Sequence, residues 1–470
     1  MAFGFGLQVL GHMSGIRTGF DVTNKRVTVA GAARSGLAAA ELLVRRGAHV
    51  TLSDTRAEAP EATRLEDLGV RLELGGHQTQ TFAGADLVVL SPGVPPEQPA
   101  VLAARRNGVP VIGEIELAYR WLLGRVIAIT GTKGKSTTTA LTGRMLETAG
   151  FRVSVGGNIG APLSAQVSDS TPETLHIVET SSFQLEQIDT FHPWIAVMLN
   201  FSPDHLDRHP TIETYAAAKA RIFENQEPSD WAVINADDPA VLDLARRGRA
   251  AQHLFARQRP VPSGTVVHEG WIVDRQEDRV ERLVPLGAIH LLGPHLVNDV
   301  MAAATVGAIV GAAPAAMTAA VESFRGLEHA MELVGELRGV RFVNDSKATN
   351  VEAALRSIES FDRDLVPIMG GRFKGGDLGL LRLPLAARAK AVVAIGEARP
   401  LLREAFGDVV VVHESESLDE AVRLGYELAQ PAGVVLLAPA CASFDMFRDY
   451  AERGRRFKEE VEKVSELFRS

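Results

Sequence analysis

The stretch Val126-Ile127-Ala128-Ile129-Thr130-Gly131-Thr132-Lys133-Gly134-Lys135-Ser136-Thr137 runs from an apolar segment through a glycine-rich turn into a helical pattern spanning Leu141 to Leu146. That is strand, turn and helix, the arrangement that aims backbone N–H groups and a helix N-terminus at a phosphate. Lys135 adds a positive charge, and Ser136 offers a hydroxyl suited to magnesium. The strict phosphate-loop spacing would put glycine at position 129, where this chain has Ile129, so the loop is a compressed variant beginning at Gly131. The reading is a nucleoside-triphosphate site on Gly131, Thr132, Gly134, Lys135, Ser136 and Thr137; a glycine-rich turn without a ligand is the alternative.

On either side of this stretch, short β-rich runs alternate with helical ones from Lys25 onward, which predicts doubly wound α/β domains. Three blocks emerge: a Rossmann-like domain over 24–120, a central domain of the P-loop ATPase type with a parallel sheet over 121–325, and a Rossmann-like C-terminal domain over 326–470. In the first block, strand Val27 to Ala30 leads into Gly31-Ala32-Ala33-Arg34-Ser35-Gly36, a helix through Leu43, and strand His49 to Leu52 closed by Ser53-Asp54. This is a dinucleotide-type unit in which the turn meets a diphosphate and the acid meets a ribose or base, with Ala33 in place of the second glycine; a plain βαβ unit is the other reading. A further strand, Asp86 to Leu90, stops at the rigid loop Ser91-Pro92-Gly93-Val94-Pro95-Pro96. Residues 1–23 show no clear periodicity and are set aside from the fold.

The chain has 470 residues, 46% apolar and 23% charged, which is too long for one hydrophobic core and suits about three domains. Its net charge of -9 argues against a nucleic-acid or anionic-membrane partner. One cysteine, Cys441, excludes an intrachain disulfide and cysteine-rich metal sites and fits a reducing compartment. Without a sustained apolar span or a secretory pattern, the expected location is the cytoplasm.

Polar clusters recur at predicted strand ends. Glu179 follows His176-Ile177-Val178 and opens Glu179-Thr180-Ser181-Ser182-Phe183-Gln184-Leu185-Glu186; it is placed to hold magnesium, or else it is a helix-start acid followed by capping serines. Asp204-His205-Leu206-Asp207-Arg208-His209 ends another strand and fits a substrate or magnesium site better than zinc, with a solvated loop as the alternative. Helix Thr211 to Phe223 carries Lys219, which composition alone reads as a solvated charge. In the third block, Asn344-Asp345-Ser346-Lys347-Ala348-Thr349-Asn350, the run Gly370 to Lys374 and Pro439 to Asp445 are three strand-end loops. They point to a second substrate site where Lys347, Arg372 and Lys374 attract carboxylates, or to ordinary turns with exposed lysines.

Taken together, the motifs at 131–137, 179–186, 204–208 and 344–350 resemble the Mur ligases, most closely their D-glutamate-adding branch, over about Lys25 to Phe468. The resemblance implies ATP-dependent ligation of D-glutamate to UDP-N-acetylmuramoyl-L-alanine through an acyl phosphate and a tetrahedral intermediate, by a monomer. It implies that Lys135 contacts the β/γ-phosphates, and that Ser136 and Glu179 hold one magnesium ion. It further implies that Lys219, as a carbamate, orients a second ion with His205. Ser35, Asp54, Thr55, Ser91, Asn158, Ser181 and Gln184 would bind the UDP-linked substrate; Lys347, Thr349, Lys374, Ser443 and Tyr450 would bind D-glutamate; Asp345 would reach the ATP ribose or phosphates.

Two departures stand out. Relatives commonly read Gly-x-His-Asn-x-x-Asn where this chain has Gly293-Pro294-His295-Leu296-Val297-Asn298-Asp299, so Asp299 would accept from the adenine amine while Leu296 cannot hydrogen-bond through its side chain. Relatives usually carry His-Arg where this chain has His329-Ala330, leaving Arg325 or Arg372 to compensate. Other hypotheses are a sister ligase adding a different amino acid, a nucleotide-dependent oxidoreductase using the Gly31 to Gly36 turn, and a P-loop switch or motor protein.

Overall fold

The computed structural model describes residues 19–204, 208–277, 279–290 and 296–467. Three sheets, each with helices, make the chain α/β. Most of their central strands are short, largely apolar runs buried on both faces, the pattern of parallel sheets, while the edge strands are more exposed.

The first sheet contains β1 (Arg26–Ala30), β2 (His49–Ser53), β3 (Arg71–Glu73), β4 (Leu87–Leu90) and β5 (Val111–Gly113), in the order β3-β2-β1-β4-β5 and parallel throughout. The second contains β6 (Arg125–Thr130), β7 (Val153–Gly157), β8 (Leu175–Glu179), β9 (Ile195–Met198), β10 (Trp231–Asn235), β11 (Ala251–Ala256), β12 (Gly264–His268), β13 (Trp271–Gln276) and β14 (Arg279–Pro285). Its order is β14-β13-β12-β11-β10-β9-β6-β8-β7. Strands β6 through β12 run parallel, but β13 and β14 add an antiparallel edge that the expectation of a parallel central sheet did not include. Turns such as Glu269-Gly270, with both residues at positive φ, allow this tight reversal.

The third sheet contains β15 (Glu332–Leu337), β16 (Val340–Asn344), β17 (Leu365–Gly370), β18 (Val392–Ile395), β19 (Val412–Glu414) and β20 (Val434–Leu437). It is ordered β15-β16-β20-β17-β18-β19 and is parallel except for the β15–β16 hairpin.

The chain divides into two compact bodies, one of residues 1–289 and 297–322, the other of 290–296 and 323–470. In the first body, helix Glu114–Tyr119 joins two sheets. Glu116 is fully buried, accepts backbone N–H bonds from Asp189, Thr190 and Phe191, and pairs with Arg120 at 2.8 Å. Burial opposes its ionisation, but the Thr190 hydroxyl, the Asp189 N–H and Arg120 outweigh that and lower its pKa.

Setting aside all of residues 1–23 needs correction. Val22 is 1% exposed in the core of the first sheet, and the Phe20 ring lies 5.1 Å from that of Trp121 with the Arg120 guanidinium over its face. Two apolar residues two apart in a polar stretch gave too short a pattern to read. Val22→Ala should lower stability by about 1–2 kcal/mol, through lost burial and a residual cavity, in urea unfolding followed at the tryptophans. No loss would leave this segment outside the folded core.

No described helix is long and apolar enough to cross a membrane.

Candidate functional site

In an open α/β sheet the ligand crevice lies where strand order reverses. The chain leaves β6 on one side for β7 and β8 and returns on the other at β9, so the loop after β6 sits at such a point. Gly131 and Gly134 have φ of 155° and 80°, conformations that favour glycine, and Gly134 caps helix Lys135–Thr148. Asn200 braces the loop from the end of β9. Its Oδ1 accepts from the Thr132 and Lys133 N–H groups at 3.1 and 2.8 Å, and its Nδ2 donates to the Lys133 carbonyl.

Residues expected from distant parts of the chain converge here: Lys135 and Ser136 of the phosphate loop, Asn158, Glu179 and Lys219. Lys135 Nζ donates to the carbonyls of Gly131 and Thr132. Glu179, at the end of β8 and 1% exposed, accepts from Ser136 Oγ at 2.6 Å and from Asn158 Nδ2 at 2.7 Å. Lys219 Nζ donates to the same Gly131 carbonyl at 2.7 Å and lies over the Tyr215 ring. Lys219 is 2% exposed, so the solvated-charge reading from composition does not hold. Burial first, then the nearby Lys135 ammonium, bring its pKa down to about 7 against the pull of Asp204 and Glu179. His205 lies outside the described residues.

Of the two readings of the Glu179 segment, the serine cap is seen at Ser181, while Glu179 itself ends β8 rather than starting the helix. Glu179 faces the phosphate loop, while Ser181 and Gln184 form a capping box on helix Ser182–Leu185, the Ser181 hydroxyl accepting from the Gln184 N–H. Gln184 is 3% exposed, and its part in the capping box, unlike that of the serine, was not expected.

Tyr215, given no role in the sequence, packs with His209 of the 204–209 cluster. Its hydroxyl lies 3.3 Å from Thr132 Oγ1, and its ring packs against Phe201 and His209. His209, 1% exposed, bonds Ser182 Oγ and pairs with Glu186. Arg208 lies over the Phe183 ring and donates to the Val94 carbonyl, tying this cluster to the Ser91 loop. An aromatic four positions before Lys219 on one helix was the available signal for Tyr215.

Asp299, expected to accept from the adenine amine, is 4% exposed and lies directly against Gly134 of the phosphate loop. The start of helix Leu296–Val310 brings it there, a proximity that sequence spacing does not disclose. Leu296 is buried too; the preceding residues 293–295 of that motif lie outside the described ones.

At the first sheet, Asp54 follows β2 directly and accepts from the Ala32 N–H at 2.6 Å and the Arg56 N–H at 2.8 Å. Ser91 Oγ donates to the Gly31 carbonyl, closing the two loops on each other. A Cβ on Gly31 would lie 2.9 Å from Ser91 Cβ, which is why glycine is needed there. Ser35 is half-buried in the first turn of helix Arg34–Arg45, and Thr55 is exposed beyond Asp54. Arg56, not predicted, reaches Asp54, Glu61 and the Ala32 carbonyl.

In the second body the three predicted loops follow β16, β20 and β17, which are adjacent, so they meet at one sheet edge. Lys347 and Lys374 are exposed, Thr349 is half-buried, Ser443 is 2% exposed, and Tyr450 makes an edge contact with His329. Asp345 is buried, receives hydrogen bonds from the Met331 N–H and the Ser357 hydroxyl, and has its pKa raised by burial. Arg372 is engaged with Glu397 at 3.0 Å. Sequence reading missed Arg453, which is 1% exposed and donates to Ser346 Oγ, the Ser346 carbonyl and the Cys441 carbonyl. It joins the Lys347 and Ser443 loops from within.

Comparisons with known proteins agree with this arrangement. Residues 25–113 match the Mur ligase MurD-like N-terminal domain, 129–307 the Mur ligase middle domain, and 329–441 the Mur ligase glutamate ligase domain. A UDP-N-acetylmuramoylalanine–D-glutamate ligase of Koribacter versatilis is 46% identical over 95% of this chain and 99% of its own length. One of Geobacter metallireducens is 45% identical over 94% and 98%. Among solved structures, the UDP-N-acetylmuramate-alanine ligase of Thermotoga maritima covers 94% of this chain and 100% of its own at 19% identity and a TM-score of 0.56. The MurF ligase of the same organism, solved with ADP, covers 95% and 96% at 18% identity and a TM-score of 0.55, and both share the fold. The chain belongs to the Mur ligase family.

Proposed function

We propose that the protein ligates D-glutamate to UDP-N-acetylmuramoyl-L-alanine with ATP, in peptidoglycan precursor synthesis, as a cytoplasmic monomer. The observation that carries this reading is the meeting of Lys135, Ser136, Glu179 and Lys219 around Gly131. Relatives 46% and 45% identical, bearing the name of that ligase along nearly the whole chain, support the choice of substrates.

In this reading residues 24–120 take the UDP moiety, 121–325 take ATP and 326–470 take D-glutamate. A carboxylate substrate and a triphosphate repel, so the site must neutralise charge and fix in-line geometry. Gly131, Thr132, Gly134 and Thr137 present the phosphate loop, and Lys135 leaves its carbonyl partners for the β/γ-phosphates. The buried Glu179 carboxylate beside the Ser136 hydroxyl is an oxygen donor set that fits magnesium, with Lys219 and His205 serving a second ion; magnesium supplies neutralisation of the phosphate oxygens. A lysine brought down to about 7 has a neutral amine available to take up carbon dioxide as a carbamate. Asp54, Thr55, Ser35, Ser91, Asn158, Ser181 and Gln184 orient the UDP-linked substrate. Lys347, Thr349, Lys374, Ser443 and Tyr450 hold D-glutamate so that its amine displaces phosphate from the acyl phosphate, and Asp345 serves the nucleotide.

Phosphate release from ATP and magnesium, with UDP-N-acetylmuramoyl-L-alanine and D-glutamate, L-glutamate or meso-diaminopimelate offered separately, tests the reading. Release with D-glutamate alone is expected. Release with another amino acid would move the protein to a sister ligase, and release without any would leave an ATPase.

Arg453→Met should raise KM for D-glutamate about tenfold or more and leave KM for ATP within about twofold, because two loop carbonyls lose their buried donors. Arg453→Lys should fall between. Equal changes in both KM values would reduce Arg453 to a general structural role.

A further inference from the structure

The carboxyl of Asp299 is buried against the backbone of Gly134, where a Cβ would come within 2.2 Å of its Oδ1. Among the described residues Oδ2 has no partner of good hydrogen-bond geometry, nor has Thr138 Oγ1, one turn along helix Lys135–Thr148, which is the side chain that favours the Asp299 anion. The charged groups on the loop and the two helices that meet here are Lys133, Lys135, Arg144 and Glu147. Lys133, Arg144 and Glu147 are exposed, and the Lys135 ammonium is held by the Gly131 and Thr132 carbonyls. Burying an unpaired carboxylate costs enough that the group takes a proton instead. Burial accordingly raises Asp299 to about 8, against the Thr138 side chain and the positive end of helix Lys135–Thr148, which favour the anion.

We propose that Asp299 is a proton-holding strut beneath the phosphate loop: neutral, it supports the loop in its anion-accepting form, and ionised, it opposes nucleotide phosphates. The physical reason is position. A negative charge against Gly134 occupies the positive end of helix Lys135–Thr148, where the phosphates of a nucleotide would otherwise lie. Nucleotide affinity should therefore fall as the proton leaves, and an uncharged residue of the same shape should abolish that loss.

The binding arm of the test rests on the ATP reading above; an infrared arm does not. Magnesium-ADP affinity is measured by calorimetry from pH 6.5 to 9.5 for the full-length protein and for Asp299→Asn, with Asp299→Ser as the neutral substitute if the first does not fold. The ratio of the two affinities removes contributions from Lys219 and other titrating groups. It should be near one at pH 7 and change by about tenfold per pH unit above about 8 in favour of the variant. A ratio constant across the range overturns the proposal. In the absence of any nucleotide, the infrared difference between the two proteins at pH 7 should contain a protonated-carboxyl band that is lost by pH 9.5. Its absence at pH 7 overturns the proposal whatever the protein binds, whereas a titrating band in a protein that binds no ADP would refute the ATP reading and the strut's effect on phosphates together.

Discussion

Lys219→Ala is expected to lower turnover by about a thousandfold or more while leaving the fold intact, with short carboxylates such as formate or acetate restoring part of the activity. Lys219 stands on the carbonyl of the phosphate loop's first glycine, is almost fully buried, and has a depressed pKa, so its amine is neutral over much of the physiological range. A carbamate there would put a carboxylate-like group next to Glu179 and the loop, and a free carboxylate diffusing into the space left by alanine would do part of the same work. Lys219→Arg should be equally inactive, since a guanidinium keeps its charge and does not form the carbamate. Full activity in Lys219→Ala would remove Lys219 from the reaction.

The same residue predicts a pH effect on stability. Its folded pKa of about 7 lies below the ordinary 10.5, so between those values the unfolded chain holds a proton that the folded chain lacks. Stability contributed by this site therefore rises with pH across that window and is lowest below pH 7. In carbon-dioxide-free buffer, wild type should gain stability relative to Lys219→Met on going from pH 7 to 10. An unchanged difference between the two would mean that the ammonium is not destabilised by its site.

How far the site was legible in sequence depended on whether a residue's task is local. Gly131 to Ser136 announce themselves because strand, turn and helix are consecutive, and Glu179 because it ends an apolar run. Ser181 and Gln184 illustrate a motif serving local structure as well: their spacing is also that of a capping box. Lys219 looked like a helix-favouring surface charge until the packing of its helix buried it, and the resemblance to a family was what drew attention to it. Arg453 and Asn200 went unread, and the place of Asp299 against Gly134 was not foreseen, because these partners, Cys441 apart, lie 67 to 165 positions away and no periodicity encodes such a meeting. Parallel strands such as β4, β6 and β20 were readable from continuous apolar runs, while the antiparallel β13–β14 edge, carrying charged residues such as Arg275 and Glu281, blended into its turns.

Glu179→Gln should cost about a thousandfold in turnover and raise the magnesium concentration needed for half-maximal rate. The substitution keeps the shape and one acceptor oxygen, so Ser136 or Asn158 retains a partner, and folding should be little affected. What is lost is the negative charge. A hard divalent cation takes oxygen ligands and prefers anionic ones, and β8 delivers this carboxylate 1% exposed to the Ser136 hydroxyl of the phosphate loop. With an amide there, the metal would have neutral donors from this side of the loop, and its stabilisation of charge on the transferring phosphoryl group would weaken with its affinity. The direction of rescue separates metal binding from shape: added magnesium should recover part of the rate in Glu179→Gln but little in Lys135→Ala, where the missing charge belongs to the chain. If magnesium dependence in Glu179→Gln matched wild type, the carboxylate would be a brace for Ser136 and Asn158, and the metal would have to be sought at other oxygens of the site.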